Sequence, residues 1–193
     1  MARVHIIGLF HTQSNESFST CAFTRRCMNM GKMLLPHGHE VIEYSNEGTT
    51  AESSEYVQIL DRQEFWELKE LYKREQPREV ASIDCTLYRR FYEKLVPELS
   101  KRVKKGDIIA HIFGIAYQQL SQLFPEAHHW EPGIGYEQAW SNLRTYETHH
   151  WQSWHHGKEG TDGSAYEWVC PMGHDTDLWT CLLYTSPSPR DQR

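Results

Sequence analysis

The sequence predicts an α/β domain, a doubly wound and mainly parallel sheet with helices on both faces. Two observations carry that prediction. Short apolar, β-prone runs alternate along the chain with amphipathic helical stretches. The first strand, helix and strand follow one another within about 45 residues, the span of a single βαβ unit, whose handedness rule makes a parallel pair.

The elements follow in order. VHIIGLF at 4–10 is a continuous apolar run, the pattern of a strand covered on both faces. A polar loop runs from His11 to Ser19. Beyond it Phe23, Cys27, Met30 and Leu34 recur at helical spacing, and Pro36 with Gly38 closes that helix. VIEY at 41–44 and YVQIL at 56–60 read as strands, and 62–78 as a mostly solvated helix. A stronger helix starts at Asp84, with Leu87, Phe91, Leu95, Leu99 and Val103 four residues apart. Lys101, Arg102, Lys104 and Lys105 complement the dipole at its end, and Gly106 is expected to terminate it.

DIIAHIF at 107–113 is the next buried strand, closed by Gly114. A short helix at 116–123 and a strand at 128–131 continue the alternation. Residues 138–156 are expected to be helical, and 166–171 to form a last strand. One domain therefore spans 1–180. The stretch 181–193, ending SPSPRDQR, has no turn logic linking it to what precedes. It resembles translated adapter sequence and reads as a non-native tail, the alternative being a genuine flexible one.

Bulk properties narrow the function. The chain has 193 residues, 39% of them hydrophobic, and a net charge of -6 with acids and bases interleaved. That balance argues against nucleic acid or an anionic membrane as the main partner. Five cysteines without a close pair point to reduced thiols and a cytoplasmic protein. The first apolar run is too short for a membrane span.

In a doubly wound sheet, ligands bind beyond the carboxyl ends of the strands. Three loops are selected by that rule: 11–15, 111–114 and 131–136. No Gly-x-Gly-x-x-Gly follows the first strand, and no Gly-Lys-Ser/Thr loop occurs, which argues against a dehydrogenase or kinase. His11 and His111 are the candidate catalytic residues, since a neutral imidazole can accept a hydroxyl proton. For His11 the competing reading is an exposed or helix-capping histidine, and for His111 a hydrogen-bonded core histidine. Thr12, Asn15, Gly114, Glu131, Gly133, Gly135 and Tyr136 are the candidate substrate-binding residues. Glycine there lets a backbone approach a ligand closely, and Glu131 reads equally as a capping or salt-bridge carboxylate. The histidines between 128 and 174 lack the spacing of a metal site, so no metal or cofactor is expected.

These residues also carry a resemblance. VHIIGLFHT, LLPHGHEVIEYS and KGDIIAHIFG resemble the opening strands of glycosyltransferases of the two-Rossmann-domain, or GT-B, type. EPGIGY followed by RTYETHHWQSWHHG resembles a stretch seen in a bacterial and viral subgroup. VCPMGHDTDLW resembles the crossover that joins the two domains in the retaining, group 4-like branch, with Cys170, Met172 and His174 departing from its usual Ile, Asn and Val. The resemblance implies a Rossmann-like N-terminal half, cut at that crossover. It implies transfer of a sugar from a nucleotide-sugar donor to a glycan, lipid or small-molecule acceptor, without a bound metal. Peripheral membrane contact through the acceptor is compatible with this. Most donor contacts would lie in a missing C-terminal domain, leaving this chain inactive alone. A non-catalytic binding module, or half of an epimerase or phosphorylase, remains the alternative.

Overall fold

The computed structural model describes residues 1–75 and 82–171. The crossover-like residues from Met172 onward, the proposed tail and the end of the helix expected at 62–78 lie outside the described residues.

Seven described strands form one sheet in the order β3-β2-β1-β4-β5-β6-β7, and every neighbouring pair is parallel. They are β1 (Arg3–Ile7), β2 (Glu40–Ser45), β3 (Glu55–Gln58), β4 (Ile108–His111), β5 (His128–Ile134), β6 (Leu143–Tyr146) and β7 (Glu167–Val169). The helices are α1 (Ala22–Leu34), α2 (Arg62–Glu75), α3 (Thr86–Arg102), the short α4 (Leu120–Leu123) and α5 (His149–Glu159). This is the Rossmann-like, doubly wound arrangement.

Alternate residues of each strand face opposite layers. Val4, Ile6, Val41 and Ala110 pack with Cys27 and Met30 of α1 on one face. Ile7, Ile42, Tyr44 and Ile109 pack on the other with Phe65 of α2 and the Leu87-Phe91-Leu95-Leu99 stripe of α3. That stripe is wholly buried, and each of its side chains contributes roughly 1.5–3 kcal/mol by leaving water.

Two expectations are corrected. Residues 138–156 are not one helix. Residues 138–142 are extended or bent, 143–146 form β6, and only 149–159 are helical. Parallel strands are commonly joined through a helix, but β5 reaches β6 by a coil that lies against the sheet. Secondly, α3 ends at Val103, which is already extended, and Gly106 serves the following turn with φ 85°. No described helix is long and apolar enough to cross a membrane.

Candidate functional site

Because all seven strands are parallel, their carboxyl ends share one edge. The order reverses between β1 and β4. The chain first builds outward to β3, then returns to the opposite side of β1. At that reversal, adjoining loops turn away from each other and leave a crevice. A cleft of about 520 Å³ opens there, walled by Phe23 from the first turn of α1, Phe113 and Ile115 past β4, and Tyr136 past β5. The ring of Phe113 lies 5.9 Å from Phe10 and 5.3 Å from Phe23, and Phe23 lies 6.0 Å from Tyr136. The tips of β1, β4 and β5 thus converge on one aromatic ledge.

The loop after β1 is held by the loop after β2. Fully buried Asn46 donates its amide to the carbonyls of Leu9, Phe10 and Thr12, at 3.3, 3.1 and 2.8 Å. Asn15 donates to Gly48 O at 2.7 Å and caps the turn at Ser17, while Thr12 bonds Thr24 at 2.8 Å. The polar groups of Thr12 and Asn15 are therefore engaged in shaping the loop. Gly8 permits this closeness, since a Cβ there would lie 2.9 Å from both the Ser45 Cβ and the Tyr44 carbonyl.

His11 neither caps a helix nor lies open to solvent. Its ring sits between Tyr72, at 6.1 Å, and Phe113, at 5.6 Å. Its Nδ1 is buried without a partner among the described residues. Burial, assisted by the Lys69 cation, holds its pKa down to about 4, so the imidazole is neutral around pH 7. His111 is a core residue. It has no exposure, its Nε2 lies 2.9 Å from His129 Nδ1, and its ring meets Trp140 edge-on at 4.8 Å. Burial depresses its pKa as well.

Glu131 is wholly buried and serves as a staple for the coil between β5 and β6. It accepts hydrogen bonds from Tyr136 Oη (3.1 Å), Trp140 N (2.8 Å) and Ser141 N (2.7 Å). Desolvation raises its pKa in spite of these donors. Gly114, at φ 54°, leaves room for the Tyr136 ring, which a Cβ would meet at 2.9 Å. The ladder of β5 is interrupted at Pro132-Gly133, where its register with β6 shifts. Gly133 (φ 63°) and Gly135 make space for Arg26 and Glu147, an ion pair of this chain's own. Arg26 retains two buried nitrogens, Nε and Nη1, without partners among the described residues.

Of the residues selected from the sequence, Gly114 and Tyr136 reach the cleft directly. His11 lies behind Phe113, and Glu131 supports Tyr136 from below. Phe23 and Asn46 were not selected, and Phe113, though inside the selected loop 111–114, was not singled out as a contact residue. The polar Asn46 directly after an apolar strand was the available signal; the two phenylalanines read as ordinary core. Among the described residues, no group of three or more His, Cys, Asp or Glu is placed to hold a metal ion.

No protein-family model matches the chain, and no curated protein matches it.

Proposed function

We propose that the chain is the acceptor-side domain of a sugar transferase that uses a nucleotide-sugar donor. One observation carries the reading: an open cleft at the strand-order reversal, with a neutral, unpartnered histidine one ring behind its wall. An acceptor seated in the cleft presents its hydroxyl toward Phe113. With that ring displaced, His11 Nδ1 takes the hydroxyl proton while the acceptor oxygen bonds to the anomeric carbon, a single displacement that inverts this centre and so departs from the retaining outcome of the branch the crossover resembles. The bond from that carbon to the diphosphate breaks, and the nucleoside diphosphate leaves with its electron pair. The leaving diphosphate needs cationic stabilisation. Arg26, the buried arginine at these tips, is paired with Glu147. On this reading a second lobe, which the resemblance implies, holds the donor, and closing the lobes excludes water that would hydrolyse it.

The test uses protein purified from its native locus, incubated with uridine, guanosine and adenosine diphosphate sugars and a panel of hydroxylated acceptors. Glycosylated acceptor and free nucleoside diphosphate are expected in equal amounts. His11→Asn is expected to slow product formation by about 10²–10⁴-fold, the usual contribution of a general base. A panel that yields neither product, or a His11→Asn protein with full activity, overturns the reading.

A further inference from the structure

We propose that the strand-tip cleft selects an uncharged acceptor with a compact apolar body, an aromatic or branched aliphatic alcohol rather than a glycan or a phosphorylated compound. This inference rests on the sugar-transfer reading for the word acceptor, but the cleft's selectivity stands on its own chemistry.

The walls are carbon. Phe23, Ile83, Phe113, Ile115, Ala116 and Tyr136 all line the cleft. Tyr136 contributes its ring face, because its hydroxyl is bonded to Glu131. Ile83 is 45% exposed and Ile115 44%, two large aliphatic side chains left open to water on the same cleft. A volume of about 520 Å³ is that of a small-molecule site, and such sites pair an apolar lining with few polar groups. Among the described residues the polar lining is Ser82, Glu137 and Gln138 beside the Gly114 backbone. A glycan would bring more hydroxyls than these few polar groups can bond, and each unmet group costs its desolvation. A phosphorylated acceptor would set its charge near Glu137, with no cation among the described lining residues to offset it. Arg26 packs on Phe23, with Cζ 5.5 Å from the ring, and its Nη2 pairs with Glu147, but it does not line the cleft. A neutral alcohol or phenol needs one hydrogen-bond partner for its hydroxyl and buries the rest of its surface against carbon.

The experiment measures binding to the 193-residue chain by equilibrium dialysis, with no nucleotide sugar present. The probes are naphthol, naphthyl phosphate and methyl glucoside. Naphthol is expected to bind saturably at one site, with naphthyl phosphate and methyl glucoside each at least about tenfold weaker. Ile115 is exposed, so Ile115→Glu should fold normally, as checked by thermal melting, and should weaken naphthol binding by about tenfold or more. Glu137→Gln should narrow the gap between naphthol and its phosphate ester. Equal or tighter binding of the phosphate or the glucoside overturns the proposal. So does naphthol binding that Ile115→Glu leaves unchanged. The two readings fail separately: naphthol binding without glycoside from the native protein sinks sugar transfer alone, whereas transfer to glycans without naphthol binding sinks the selectivity alone.

Discussion

Phe113 screens His11 from the cleft. The two rings lie 5.6 Å apart, and the same phenylalanine contacts Phe23 at 5.3 Å on the cleft wall. Partial burial among these rings, with the Lys69 cation nearby, disfavours the charged form of the imidazole. Replacing Phe113 by alanine should admit water and raise the His11 pKa from about 4 toward its ordinary value of 6.5. Proton NMR titration of the imidazole measures this directly. A midpoint that stays near 4 in Phe113→Ala would show that Tyr72 and Phe10 exclude water without help.

Stability should carry two opposed pH dependences. His11 is held down to about 4 from 6.5, so between those values the unfolded chain binds a proton that the folded chain refuses. Its contribution to stability is lost as pH falls through that window. Glu43 is buried on β2 and pushed up to about 7 from 4.5, chiefly by desolvation, although Thr49 donates to it at 3.3 Å. Folded Glu43 keeps a proton that the unfolded chain releases, so stability falls as pH rises from 4.5 to 7. Each shift amounts to something on the order of 3 kcal/mol across its window. Urea unfolding of His11→Gln and Glu43→Gln in pH steps, each subtracted from the parent, should give difference curves of opposite slope. His5, His111 and His129, whose pKa values burial also lowers, cancel in that subtraction. Slopes of the same sign would contradict the assignment.

Removing the Glu131 carboxylate should release the coil between β5 and β6. Glu131→Ala leaves the Trp140 and Ser141 amides without their acceptor and the Tyr136 hydroxyl without its own. A loss of about 3 kcal/mol or more is expected, since bonds to charged groups are the stronger ones. Hydrogen exchange should accelerate first at the Trp140 and Ser141 amides. Protection there equal to that of the parent would mean that the coil is held by its other contacts.

Glycine substitutions should separate crowding from backbone strain. A Cβ at Gly31 would lie 1.7 Å from the Glu52 carbonyl oxygen, and backbone cannot step aside as a side-chain tip can. Gly31→Ala should cost more than about 3 kcal/mol, the upper end of overpacking effects. At Gly106, with φ 85°, an added methyl would meet no described atom within 4 Å. Gly106→Ala should cost only the left-handed backbone penalty, roughly 1–2 kcal/mol. Chemical denaturation ranks the two, and a reversed order would contradict the packing of α1 against the 51–54 loop.

The sheet class, β1 to β5, and the buried faces of α1 and α3 were legible because each is written locally. Burial on one or both faces imposes a period on neighbouring residues, and Leu87, Phe91, Leu95 and Leu99 display it without reference to anything distant. β6 was not legible. Its four residues, Leu-Arg-Thr-Tyr, carry no strong run, and a strand following a helix-free coil leaves no periodic trace. Its existence depends on pairing with β5 and β7 and on the Glu131 staple. The site was half legible on the same grounds. Position at the carboxyl ends of parallel strands follows from the fold class, so loops 11–15, 111–114 and 131–136 could be picked from sequence alone. Whether a residue in those loops faces the cleft, supports it or lies in the core depends on partners far along the chain. Asn46 holds Thr12, Phe113 covers His11, and Arg26 fills the space above Gly133. Those pairings are decided by tertiary packing, because no local pattern records which distant side chain will take a residue's last hydrogen bond or its last free face.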